Sequence, residues 1–185
     1  IYCSTIDGAL INYETDSEYW EQLDDLFIKY GFPQAEFGRN TDIHPGRQFS
    51  NGEIVDFSFL DEGDTLTVGD YRFSCLLTPG HTPGHMCLFD RKKGILFSGD
   101  HILGDITPNI CIELTSENPL QAYFDSLKKI DSLAINHIFS AHRTMITAPY
   151  ERIAELLTHH ENRLEEVMDI LGDQTLNGYQ VAQQM

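Results

Sequence analysis

The sequence predicts a mixed α/β fold, a sheet core with helices on its outside. Three observations lead there. Short apolar runs alternate with segments of helical period, in the order strand, helix, several strands, helix, strand, helix. Turn signals at Gly69-Asp70 and from Asp90 to Gly94 cut the middle of the chain into hairpins. Finally, three strand-like runs stop at a metal-binding residue type. Phe73 to Leu77 leads into Thr78-Pro79-Gly80-His81-Thr82-Pro83-Gly84-His85, Ile95 to Phe97 into Ser98-Gly99-Asp100-His101, and Ile138-Phe139 into Ser140-Ala141-His142. The ends of neighbouring strands gather on one rim of a sheet, where loops build sites on a rigid scaffold. Two His and one Asp on such a rim suit zinc, with iron or manganese also possible. A metal-dependent enzyme is therefore the leading expectation.

Taken in order, Ile1 to Ser4 reads as a strand. Thr15-Asp16-Ser17-Glu18 has capping-box spacing, and Trp20, Leu23, Phe27 and Tyr30 follow at helical period until Gly31 and Pro33 stop the helix. Residues 34–54 lack periodicity and predict a long loop, with a lid over the rim as its expected role. From about residue 55 to 103 strands and turns dominate. Tyr71, Phe73, Cys75 and Leu77 alternate toward one face, and Met86–Phe89 and Ile95–Phe97 are nearly continuously apolar, as in strands covered on both faces. Asn118-Pro119 opens a helix whose stripe is Leu120, Tyr123, Phe124, Leu127 and Ile130. A strand around His137–Phe139 precedes a long helix from about Tyr150 to Leu171, and Asn177-Gly178 starts another.

Composition narrows the function classes. With 41% hydrophobic and 22% charged residues, a chain of 185 residues has enough apolar material for one domain with a sizeable core, or for one domain plus a small appendage. Its 29 acidic against 12 basic residues, a formal charge of -17, repel phosphate backbones and anionic membranes, so no nucleic-acid or membrane partner is expected. Cys3, Cys75, Cys87 and Cys111 form no C-x-x-C pair and no disulfide framework, which makes a reducing cytoplasm the expected compartment. No apolar stretch approaches the ~20 residues needed to span a bilayer. The start at Ile1 inside a strand-like run, and the stop at Met185 inside a helix-like one, predict a portion of a longer protein.

The three strings together resemble the later motifs of the metallo-β-lactamase-fold hydrolases, in content and in the spacing from His81 to Asp100 to His142. Ile106-Thr107-Pro108-Asn109-Ile110 and His159-His160-Glu161-Asn162-Arg163-Leu164 resemble the stand-alone hydrolase branch with a small winged-helix-like C-terminal appendage. The resemblance implies His81 as a ligand of a first metal, Asp100 as the catalytic residue bridging two metals, and His142 as a ligand of the second, with zinc as the metal. It also implies an αββα sandwich. The family's N-terminal His-x-His-x-Asp-His string does not occur here. The sandwich is therefore expected to be incomplete, with residues 1–148 as its C-terminal part and 149–185 as a long helix and the start of a truncated appendage.

The other histidines read differently. His85 is expected to orient or pack rather than ligate, His101 to support its loop, and His160 to be a hydrogen-bonded buried residue; His44, in the long loop, is a surface residue or an approach to the site. The resemblance implies a metal-activated water attacking a small ester, thioester or lactone, and the acidic surface argues against nuclease branches. Two other readings remain open. One is a catalytically silent folding or association fragment that self-associates or pairs with the missing N-terminal part through an uncovered apolar face. The other is a metal-binding redox module.

Overall fold

Turns marked in the sequence decide how the strands run. The computed structural model describes residues 1–14, 16–34, 52–112, 114–115 and 117–185. Strand β1 (Tyr2–Ser4) pairs in parallel with β2 (Ser58–Leu60), Cys3 opposite Phe59. A second sheet holds five strands in chain order: β3 (Thr65–Val68), β4 (Tyr71–Leu77), β5 (Met86–Asp90), β6 (Ile95–Gly99) and β7 (His137–Ser140). Its first four strands are antiparallel hairpins. Gly69, at φ +57°, makes the β3–β4 turn, and the Asp90 carboxylate accepts from Lys93 N at 3.0 Å in the β5–β6 turn. β7 instead runs parallel to β6, which requires a crossover.

That crossover is α3, Pro119–Asp131, reached after α1 (Thr5–Tyr13) and α2 (Ser17–Lys29) earlier in the chain. Asn118 caps α3 by accepting from Gln121 N at 3.0 Å, and Pro119 occupies the first turn, where its missing N–H is not needed. The stripe Tyr123, Leu127 and Ile130 is fully buried against one face of the large sheet, Cys87 and Phe89 of β5, Leu96 of β6 and Ile138 of β7. Ile153 and Leu156 of α4 (Pro149–Leu171) complete this core. Each such side chain contributes about 1.5–3 kcal/mol by leaving water.

The opposite face of the same sheet is different. Cys75, Leu88, Phe97 and Phe139 sit across from one another in register and so share it. The expectation that β5 and β6 are covered on both faces is not met among the described residues: Phe97 is 43% exposed and Phe139 36%. Together with Leu66, Val68, Tyr71, Phe73, Leu88 and Ile95 they line an apolar cavity of about 500 Å³. Aromatic rings run across it, Phe73 edge-on to Phe97 at 5.5 Å and Phe97 stacked on Phe139 at 5.2 Å.

The chain divides into two compact units, residues 1–8 with 56–158, and residues 9–55 with 159–185. The first contains both sheets, α3 and the core just described. In the second, α2 buries Tyr19, Trp20 and Leu23, and Trp20 Nε1 donates to Glu14 O at 2.9 Å. The cap expected at Thr15 lies outside the described residues; Asp16 caps α2, accepting from Glu18 N at 3.0 Å. The short helix α5 (Gly178–Ala182) begins with a reciprocal capping box between Asn177 and Gln180, and Tyr179 meets Phe32 edge-on at 5.1 Å. Most of the predicted loop 34–54, with His44, lies outside the described residues. Among the described residues no helix is long and apolar enough to cross a membrane.

Candidate metal centre

Strand direction assembles the rim. β4 ends, β5 begins, β6 ends and β7 ends on the same edge of the sheet, because β4–β5 and β5–β6 are antiparallel and β6–β7 is parallel. His81 lies in the β4–β5 loop, Asp100 follows β6 directly, and His142 is two residues past β7. A register shift between Phe97 and Gly99, with Gly99 at φ +52°, turns the chain at the point where Asp100 is presented. Ala141 N donates to Gly99 O at 3.0 Å and holds the β6 and β7 exits together.

The three predicted residues meet through Asp100. His81 Nε2 is 3.7 Å from Asp100 Oδ2, and His142 Nε2 is 3.2 Å from Asp100 Oδ1. The spacing is loose: among the described residues no group of three or more His, Cys, Asp or Glu side chains is drawn tightly enough to hold an ion. The chemistry of the donors nevertheless fits one. His81 Nδ1 lies 2.8 Å from the carbonyl of Asn109, which can only accept, so this nitrogen carries the proton. In the neutral ring, Nε2 then presents a lone pair to a carboxylate. Asp100 Oδ1 is buried, and despite its proximity to His142 it has no well-directed hydrogen bond. At His81 the lone pairs of Nε2 and Asp100 Oδ2 face one another 3.7 Å apart and repel, and a cation between them would remove the repulsion. A backbone carbonyl fixing the far nitrogen of a ligating His is the usual outer support of such a site.

Next to His142, Arg143 adopts φ +69°, the one non-glycine positive φ among the described residues. Ser140 Oγ donates to His142 O at 2.9 Å and steadies this turn. Backbone strain of this kind clusters at functional loops.

Behind the rim lie two buried histidines. His85 pairs through Nδ1 with Thr78 Oγ1 at 2.8 Å, and its ring stands 6.2 Å from that of His81. His101 is fully buried, 5.7 Å from the His85 ring and 5.0 Å from Tyr123, and neither of its ring nitrogens has a well-directed partner. Both are buried, whereas the three rim residues are partly exposed. Burial first, then the neighbouring His81 ring, pulls His85 down to about 4 against a smaller upward pull from Asp100. Burial, then His85 and His81, pulls His101 down to about 3.

These shifts predict how stability depends on pH. The folded values lie below the ordinary ~6.5 of an unfolded His. As pH falls through 6.5 the unfolded chain takes up protons that the folded chain refuses, so stability present above 6.5 is lost toward 4 and 3. Each ring contributes a slope of up to about 1.4 kcal/mol per pH unit. Urea midpoints measured with a chelator between pH 6.5 and 5 should show the slope, and His101→Gln should lower it by roughly 1 kcal/mol per unit. An unchanged slope would mean the ring is not buried neutral.

Two supports lie outside the three strings that carry the rim residues. The Asn109 carbonyl is a backbone group, invisible to a search by residue type. Arg152 of α4 donates through Nε to Leu103 O at 2.7 Å and through Nη2 to Ile106 O at 2.9 Å, holding the loop that runs from Asp100 to Asn109.

Comparison with known proteins identifies the family. The model of the Metallo-beta-lactamase superfamily matches residues 12–142. A Beta-lactamase-like protein 2 homolog of Caenorhabditis elegans is 32% identical over 115 residues, 62% of this chain and 37% of that protein. The Probable metallo-hydrolase YqjP of Bacillus subtilis (strain 168) is 30% identical over 118 residues, 61% of this chain and 37% of that protein. The crystal structure of a metallo-beta-lactamase family protein from Thermus thermophilus superposes with a TM-score of 0.82 at 25% identity, covering 98% of this chain and 58% of the other. The chain thus spans little more than a third of these two sequence relatives and under two thirds of the solved structure. The chain belongs to the metallo-beta-lactamase superfamily, whose members are mostly hydrolases.

Proposed function

We propose that this chain carries part of the metal centre of a hydrolase acting on a small ester, thioester or lactone, with His81 and His142 as ligands and Asp100 between them as the bridging, catalytic carboxylate. The observation that carries the reading is the tautomer of His81, whose Nδ1–H is committed to Asn109 O and whose Nε2 faces Asp100. The name of the Bacillus subtilis relative, a probable metallo-hydrolase, supports the same reaction class. A bound divalent cation, zinc foremost with iron or manganese as alternatives, would supply Lewis acidity for a carbonyl and acidify a water to a pKa of ~7. The chain's own residues do the rest: Asn109 and Asp100 orient the two imidazoles, and the buried His85 and His101 keep the wall behind them neutral.

With three donors on the rim, the chain by itself should hold zinc weakly, at one ion per chain or fewer. Elemental analysis after dialysis checks this, and two tightly retained ions per chain would overturn it. Absence of any uptake would favour the silent-fragment reading instead.

The open sheet face supports an association proposal. Phe97, Phe139 and their apolar neighbours form the kind of patch that pairs with other protein. Self-association, or pairing with a further part of the whole protein, is the expected outcome in light scattering at high concentration. A monodisperse monomer would count against it. Four free thiols suit a cytoplasmic setting, and the charge of -17 suits a small-molecule substrate rather than nucleic acid.

A further inference from the structure

His81 sits between two anchors of its loop, and only one of them is accounted for by packing. On the Pro79–Gly80 side, Ser126 Oγ of α3 donates to Pro79 O at 2.9 Å and Gly80 lies against Tyr123. On the Thr82–Gly84 side the anchor is a single carboxylate from the first turn of α1. Asp7 Oδ2 accepts from Thr82 Oγ1 at 2.6 Å, and Asp7 Oδ1 accepts from Gly84 N at 2.7 Å. Both contacts are short and charge-assisted, the stronger class of hydrogen bond. They join residues 75 and 77 apart in the chain.

The helix start is built to hold that carboxylate. Ser4 Oγ accepts from Asp7 N at 3.0 Å, which caps the helix and fixes the backbone of Asp7. The helix N-terminus favours a negative charge at this position. The loop is also pressed close: a Cβ on Gly84 would meet Asp7 N and Ser4 Oγ at 2.5 Å each. Glycine here allows the backbone to come within reach of the carboxylate.

We propose that Asp7 is a positioning residue for the metal centre, gripping the Thr82–Gly84 arm of the loop so that His81 Nε2 is held toward Asp100. Asp7 touches neither a ligand nor the reacting atoms; it acts through the loop. The proposal rests on the reading of His81 as a metal ligand.

The test uses Co²⁺, whose visible absorption reports ligand geometry, titrated into the chain and its variants. Loss of an outer support of a ligand typically lowers metal affinity 10–100-fold. Asp7→Ala, being one step further out, should lower Co²⁺ affinity about 10-fold and alter the visible band. Asp7→Asn can still accept from Gly84 N and can donate to the Thr82 hydroxyl, so it should recover most of the loss. Ile130→Val, a core change away from the loop, should destabilise the fold without changing the band or the affinity. Wild-type binding with an unaffected Asp7→Ala overturns the proposal alone, as does an Ile130→Val loss equal to that of Asp7→Ala. Absence of Co²⁺ uptake by wild type overturns the metal reading and the proposal with it. If Asp7→Ala does not fold, Thr82→Val deletes one arm of the grip, and unaltered affinity and spectrum there overturn the proposal.

Discussion

In the whole protein, Asp100→Asn is expected to abolish retained metal at the rim and to lower hydrolysis of a small thioester panel by more than ~100-fold, beyond the range typical of outer supports. Asp100 is the one anion between the two imidazoles, 3.7 Å from His81 Nε2 and 3.2 Å from His142 Nε2. The amide keeps its shape, so packing is undisturbed and folding should survive. What changes is charge. A carboxylate offers two anionic oxygens and can hold two cations, whereas an amide offers one neutral, weaker oxygen donor. The contrast is His85→Ala. That ring lies behind the rim and pairs with Thr78, so its removal should leave metal content nearly unchanged and reduce turnover ~10–100-fold. Metal stoichiometry and turnover of both variants decide the matter. Undiminished activity in Asp100→Asn would remove the metal-hydrolase reading altogether.

The elements that local chemistry specifies were legible in the sequence. Gly69-Asp70 and the Asp90–Gly94 stretch are turns because their residues tolerate the required backbone, and Asn118-Pro119 starts α3 because both residues suit a helix start. Helix α1 was not legible. Its stretch Thr5–Tyr13 contains Gly8, which lowers helix propensity, and its apolar residues make no clean stripe. The glycine serves packing instead, since a Cβ there would come within 2.7 Å of the Phe59 ring. One signal was available: Ser4 and Asp7 stand at capping-box spacing.

Of the site, the three rim residues stand out because each closes a strand. Their supports do not, since a helix-borne carboxylate 75 residues from Thr82 and a backbone carbonyl leave no local mark. The open face of the large sheet shows a different limit. Nearly continuous apolar runs tell that β5 and β6 are apolar on both sides, but not what covers each side. Here α3 and α4 cover one of them, and the described residues leave Phe97 and Phe139 partly exposed on the other.

The motif's glycines give the second large effect. Gly80→Ala should destabilise the fold by about 2–6 kcal/mol, the sum of backbone strain and overpacking of about 1–3 kcal/mol each. Gly80 adopts φ +144°, a conformation L side chains rarely take, and its Cβ would stand 2.6 Å from Tyr123 Cβ and 2.8 Å from Tyr123 Cα. Retreat is blocked. Tyr123 is fully buried, its hydroxyl donates to His101 O at 3.1 Å, and Leu127 and Ile130 lock the same face of α3 into the core. Ser126 Oγ holds Pro79 O at 2.9 Å, so the loop cannot lift away without losing that bond as well. A loss of this size is a large share of the 5–15 kcal/mol that keeps most domains folded. Gly69→Ala is the control, because φ there is +57° but a Cβ would meet nothing within 4 Å. It should lose only the ~1–2 kcal/mol of left-handed backbone strain. Urea midpoints of the two variants separate strain from contact. Metal titration of Gly80→Ala should show a weakened site too, since the displaced residue is the immediate neighbour of His81. Equal midpoints for the two variants would mean that the approach of Gly80 to Tyr123 is not what holds this loop in place.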